Sequence, residues 1–228
     1  MNFTHVIVTR YNLGLYDNSY LQRPKQSADM WMRHRAGLFR RYCVPSVCAQ
    51  RCQNFLWLVL FDLKTSQVEL QTAIQDTPCC LLCSTGKFLP TLRNWLHERV
   101  QTPWIITTRL DNDDALHTDF VHDIQQAFRA KKEVLCFPAG WLLTDEYTGQ
   151  LRWPSNPFSS LIEQTGELVS VYCIAHPQLK QKYPYRELPH GRWARIVHKD
   201  NIGGGLDRAS VPVSRSELRL GFPFLSEG

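Results

Sequence analysis

The chain has 228 residues, 43% of them hydrophobic, enough to bury one substantial core, and a single domain over residues 1–228 is the expectation. Its net charge of +5 is modest and dispersed apart from Arg33-His34-Arg35 and Arg40-Arg41. That argues against nucleic acid as a partner but suits phosphate-bearing donors or peripheral contact with anionic lipid. No run of about 20 apolar residues marks a transmembrane segment and Met1 to Arg10 lacks the parts of a signal peptide, so the expected location is cytoplasmic, at most peripheral to the inner membrane.

Strands and helices alternate through the first two-thirds. His5 to Thr9 is a β-branched strand, and Ala28 to Gln50 has a helical pattern in which Met32, Leu38, Phe39 and Tyr42 share faces. Phe55 to Phe61 is an apolar run ending at Asp62, as expected of a strand buried on both faces. Pro78 to Cys83 predicts a third strand, Phe88 to Arg99 a helix, Trp104 to Leu110 a fourth strand, His117 to Lys131 a helix and Val134 to Phe137 another strand. The alternation predicts an α/β sandwich around a mostly parallel sheet. In the last third, prolines cut the chain into short elements, with strands expected at Leu168 to Cys173 and Arg192 to His198 and a flexible loop at Gly203-Gly204-Gly205. Irregular material of this kind often carries substrate loops.

Eight cysteines suggest disulfides, yet several sit inside apolar segments, where a reduced thiol behaves as a small hydrophobe. A zinc site from Cys52, Cys80 and Cys83 lacks the matching second pair on a turn that such sites use.

The strongest chemical signal is Thr107 to Asp114, an apolar strand running directly into Asp111-Asn112-Asp113-Asp114. In open α/β sheets ligands bind beyond the carboxyl ends of strands. Clustered carboxylates repel unless a cation shares them, and hard oxygen ligands suit Mn²⁺ or Mg²⁺, which would clamp a diphosphate leaving group. The competing reading has Asp113 or Asp114 merely capping a helix that begins near Leu116.

Companion segments carry a resemblance. Val6 to Asn12, Leu58 to Asp62, Leu92-Arg93-Asn94-Trp95 and Trp104 to Asp114 resemble, in order, motifs of family 2 type GT-A glycosyltransferases. Thr9-Arg10-Tyr11-Asn12, Pro45-Ser46-Val47 with Gln50, Arg109 to Ala115 and Asn156-Pro157-Phe158 are most similar to the rhamnosyltransferase family of that group. The resemblance implies a single Rossmann-like α/β/α GT-A domain, with a nucleotide-binding half over about residues 1–115 and an acceptor-binding half over about 116–228. It implies that Thr9, Arg10, Tyr11, Asn12 and Asp62 hold base and ribose, that Arg93 lies near the donor, and that Asp111, Asn112 and Asp113 meet ribose and metal. It also implies a late histidine as a further metal ligand, and His198 is the one in that position.

An inverting transfer needs a carboxylate beside the acceptor hydroxyl. The acid pair usual in family 2 is absent, and Asp145, Glu146, Glu163, Glu167 and Glu187 are the candidates. Glu163, near Asn156-Pro157-Phe158, is preferred, followed by Glu187, which precedes His198. The expected activity is metal-dependent transfer of a sugar, rhamnose among the candidates, from a dTDP-, UDP- or GDP-linked donor to a glycan or glycolipid. A nucleotidyltransferase would carry a glycine-rich basic loop after its first strand, where this chain has Thr9-Arg10-Tyr11-Asn12-Leu13. A carbohydrate-binding module using Trp141, Trp153 and Trp193 as sugar platforms would not need the acidic trio.

Overall fold

The computed structural model describes residues 2–17, 27–198 and 210–225, so Gly203-Gly204-Gly205 lies outside the described residues. Strands β1 (Phe3–Arg10), β2 (Leu56–Asp62), β3 (Cys80–Ser84) and β4 (Trp104–Asp111) form a parallel block in the order β4-β1-β2-β3. Alternate residues of β1 and β2 enter opposite cores. Ile7, Val59 and Phe61 face one side, and Val6, Val8, Leu58 and Leu60 the other. That two-residue alternation inside an unbroken apolar run is what burial of both sheet faces requires.

Helices cover both faces. On the first, α1 (Ala28–Leu38) brings Met32, and a π-helical turn at Phe39–Cys43 leads into α2 (Val44–Cys48). The predicted continuous helix from Ala28 to Gln50 is therefore three pieces. Pro45 has no N–H to give the preceding turn, and the Val44 N–H reaches back five residues to the Phe39 carbonyl. On the same face lie α3 (Gln67–Ile74), started by a Ser66/Glu69 capping box, and α5 (Phe120–Gln126), while α4 (Leu89–Arg99) packs Leu92, Trp95 and Leu96 on the second face. The helix expected over His117 to Lys131 is shortened to α5.

Beyond β4 the sheet continues through β9 (Ser160–Gln164), β6 (Glu133–Cys136) and β10 (Tyr185–Glu187). β9 lies antiparallel to both β4 and β6, and β10 is parallel to β6. Four of the six pairings among these seven described strands are parallel, as the alternation predicted. Helix α6 (His176–Lys182) buries Leu179 on the second face.

A second sheet, which the sequence reading did not foresee, comprises β5 (Ala115–Leu116), β7 (Ala139–Leu143), β8 (Thr148–Arg152), β11 (Gly191–Ile196) and β12 (Val211–Pro212), in the order β12-β8-β7-β11-β5. The strand expected over Leu168 to Cys173 does not form. The Val169 and Ser170 N–H groups donate to the Glu163 carboxylate and the Val171 N–H to Thr107 Oγ1, so side chains take the donors that a ladder would need. All eight cysteines are free thiols, and among the described residues no cluster of three His, Cys, Asp or Glu side chains gathers to hold a metal. No described helix is long and apolar enough to cross a membrane.

Candidate active site at the carboxyl edge of the sheet

Parallel register sets the stage. Arg10 stands beside Asp111, and β2 ends at Asp62, so the ends of three strands share one edge. Asp113 and Asp114 do not cap a helix, because Ala115–Leu116 is a strand and the next helix starts only at Phe120.

The three carboxylates have different surroundings. Asp111 is the most open of the three, accepting Arg109 Nη2 at 3.2 Å and facing Arg10 at 3.6 Å. Burial pushes its carboxyl up, but Arg109 and then Arg10 outweigh that and hold it down at about 2. Asp113 is buried against Arg35 of α1, and the same oxygen, Oδ2, lies 2.9 Å from His198 Nε2. Asp114 is buried deepest and accepts the Ile196 N–H at 3.0 Å; burial, then Asp113 and Asp111, raise its carboxyl well above the usual range.

Of the three expected metal ligands, Asp113 and His198 converge and Asp111 turns to its arginines. A carboxylate oxygen and an imidazole nitrogen brought this close are a donor pair suited to a divalent cation. Arg35 presses on the same oxygen and also reaches Asn112 Oδ1 at 3.2 Å, so a guanidinium already compensates the charge there.

The donor loop is built from residues expected to touch a ligand, but their side chains face inward. Thr9 Oγ1 is buried and accepts Trp57 Nε1 at 3.0 Å, and Tyr11 stacks on Phe61 with ring centroids 4.6 Å apart. Asn12 bridges the Asp62 N–H and Thr65 Oγ1, while the Asp62 carboxylate accepts the N–H groups of Gly14 and Lys64. These four side chains shape the loop through contacts within the protein. Asn112 ties the loop to the acidic motif by donating to the Tyr11 carbonyl at 2.8 Å. Arg10 faces the edge, and Arg93, half-buried on α4, donates to the Val169 carbonyl.

The preferred general base is corrected. Glu163 pairs with Ile105, six residues before Asp111 on β4, which places it roughly 20 Å away at the opposite edge of the sheet. It is fully buried, and its two oxygens hold the Val169 and Ser170 N–H groups at 2.8 Å. Burial raises its carboxyl despite those bonds. Glu187 is at the right edge, because β10, β6 and β4 run the same way; three inter-strand steps put it roughly 14 Å across the sheet from β4. It is ion-paired with Arg152 and Lys180.

Sequence reasoning missed Arg35, Arg109, Tyr172 and His176, and named Trp153 only as one of three sugar platforms of the competing binding module. Arg109 adjoins the acidic motif and Arg35 belongs to the one basic cluster, which were the available signals. The Trp153 ring, half-buried, lies edge-on to His176 at 5.9 Å with Arg195 above it. Trp193 is fully buried against Phe158 and Trp141 is packed on Phe222, so Trp153 is the tryptophan of those three placed beside this edge.

The sequence pattern of one protein family, described as "Putative rhamnosyl transferase", matches residues 21–205. No curated protein matches the chain. Among solved structures, S. aureus TarS 1-349 in complex with UDP-GlcNAc is similar in fold, with a TM-score of 0.50 and 15% identity over 95% of this chain and 63% of that one. TarS 1-349 alone gives 0.48 at 15% identity over 86% and 60%. A cytidylyltransferase from Leptospira borgpetersenii serovar Hardjo-bovis (strain JB197) gives 0.45 at 12% identity over 84% and 77%. The chain thus spans about three-fifths of the length of the TarS structures it matches.

Proposed function

Since the chain belongs to the family described as "Putative rhamnosyl transferase", with a mostly parallel sheet of the GT-A type, we propose that it transfers a sugar, rhamnose foremost, from a nucleotide-linked donor to a glycan or glycolipid hydroxyl. The observation that carries this reading is the convergence at one sheet edge of Asp111, Asp113, His198 and Arg10, drawn from β4, the chain after β11, and β1. The likeness in fold to TarS, whose structure holds UDP-GlcNAc, supports a nucleotide sugar as donor.

The residues divide the work. The Tyr11 to Gly14 loop and the Asp62 to Lys64 turn, joined through Asn12 and Asp62, are the proposed floor for the nucleotide in the half up to about residue 115. The acceptor lies toward the later half, beside Trp153. Asp113 and His198 would hold a divalent cation, Mn²⁺ or Mg²⁺, which when bound supplies charge compensation for the departing diphosphate. Asp111 stays ionised and orients Arg10 and Arg109. Glu187, the nominated carboxylate at this edge, is proposed to accept the proton of the acceptor hydroxyl.

The test is a panel of dTDP-, UDP- and GDP-linked sugars, assayed for transfer and for slow hydrolysis with and without Mn²⁺. Turnover of at least one donor, stimulated by Mn²⁺ and lost in Asp113→Asn, is expected. Full turnover by a folded Asp113→Asn protein would remove the metal pair from the reading, and no turnover of any donor would remove the activity.

A further inference from the structure

We propose that Arg10 and Arg109, both braced against Tyr172 and tied by Asp111, form a guanidinium clamp for the phosphate groups of the substrate. This rests on the donor reading above and names the part of the site that grips the diphosphate.

Register places the clamp. Arg10 and Asp111 are neighbours across β1 and β4, and Arg109 lies two residues before Asp111, so all three side chains leave the same face of the sheet. On that face stands Tyr172, with the Arg10 guanidinium 5.0 Å and the Arg109 guanidinium 5.2 Å from its ring centroid. The ring is fixed from below. Its hydroxyl donates to the Val8 carbonyl at 3.0 Å, and the preceding residue is held by Thr107. Guanidinium groups lying over an aromatic face are attracted to its electron density and lose rotational freedom there.

Two guanidinium groups share the carboxylate of Asp111, Arg109 at 3.2 Å and Arg10 at 3.6 Å. Moreover, the Nε atoms of Arg10 and Arg109 are buried and have no hydrogen-bond partner among the described residues. A buried donor without an acceptor is destabilising, the more so on a charged group. An oxygen-rich anion at this edge would satisfy both donors together. Guanidinium forks match phosphate oxygens two at a time, which a lysine ammonium cannot do. Arg10 and Asp111 remain partly open, so the clamp can be reached from solvent, while Arg109 is mostly enclosed.

The ligand chemistry is a phosphate ester or anhydride, and a nucleoside diphosphate and a phosphorylated acceptor both carry it. Calorimetry on the full chain in EDTA, with pyrophosphate, UDP, GDP, dTDP, uridine and a sugar 1-phosphate, separates these sources. Pyrophosphate and at least one nucleoside diphosphate should bind without metal, at least tenfold tighter than uridine. Arg109→Lys, which keeps the charge facing Asp111 but loses the fork, and Arg10→Gln should each weaken them tenfold or more. Arg129→Gln, an equal charge loss at an exposed site remote from the clamp, should not. Melting curves establish which variants are folded, and Arg10→Gln, at the more open position, decides the matter should Arg109→Lys unfold. Preference for the sugar 1-phosphate over every diphosphate assigns the clamp to the acceptor and overturns the diphosphate grip. Diphosphate binding that needs Mn²⁺, or that both folded variants retain, overturns the clamp. Pyrophosphate binding that depends on Arg109 in a protein transferring no sugar sustains the clamp while the donor reading fails.

Discussion

The acidic motif shows how far one side chain's role depends on what faces it. From the sequence, Asp113 reads as a metal ligand or a helix cap, and a cap would tolerate asparagine. In the structure no helix follows, and Asp113 is the counter-charge of the buried Arg35. Removing one partner of a buried ion pair leaves the other uncompensated, at about 3–5 kcal/mol. Asp113→Asn and Arg35→Met should therefore each lower stability by about 3 kcal/mol, and the double variant should lose well under their sum. Urea unfolding of the four proteins measures this; additive losses would mean the pair is not coupled. Saturating Mn²⁺ should raise the melting temperature of Arg35→Met more than that of the wild type, because a cation at Asp113 would then replace the lost guanidinium.

Elements show the same division between local rule and tertiary demand. Ser66 and Glu69 were spaced to start a helix, and each bonds the other's backbone N–H. Ser66→Ala should cost about 1 kcal/mol with little effect on nucleotide binding. Strand β7 is under a constraint that no propensity encodes: a Cβ at Gly140 would overlap the indole of Trp193 on neighbouring β11. Trp193 is fully buried, stacks on Phe158 and donates to the Phe137 carbonyl, so it cannot retreat. Gly140→Ala should therefore cost about 1–3 kcal/mol, the range for overpacking a core, rather than gaining the small benefit usual for replacing a strand glycine. A melting temperature equal to wild type would show that the indole can shift.

Across the whole molecule, a buried histidine, His5, and a half-buried one, His117, tie stability to acidity. His5 bonds Thr108 Oγ1 at 2.7 Å in the sheet interior, and burial lowers its pKa to about 3; burial, then Arg192, lowers that of His117 to about 4. Both are neutral when folded, whereas in the unfolded chain they take up a proton near pH 6.5. Their contribution is therefore full above pH 6.5 and is lost as pH falls toward 4 and then 3. The melting temperature should decline across that window, and His117→Gln should flatten the decline between pH 6.5 and about 4. An unchanged slope in that variant would place the acid sensitivity elsewhere.

The parallel block was legible in the sequence because buried strands and amphipathic helices leave a local period, as in Leu58 to Phe61 and Leu92 to Leu96. The acidic edge was legible because Asp111 follows an apolar strand without interruption. Neither the insertion of β9 nor the second sheet could be read, since β8 and β9 are short and owe their pairing to partners distant in the chain. Glu163 misled for the same reason: a carboxylate in sequence gives no sign of which end of a strand it occupies, and register with Ile105 sent it to the far edge. The sequence by itself determined the fold class and the location of the acidic motif, because hydrophobic period and the succession of elements along the chain are local properties. Only the tertiary structure decided that Arg35 and Arg109 neutralise that motif and that Tyr172 braces the arginines, because charge compensation depends on distances between side chains that the chain order does not contain.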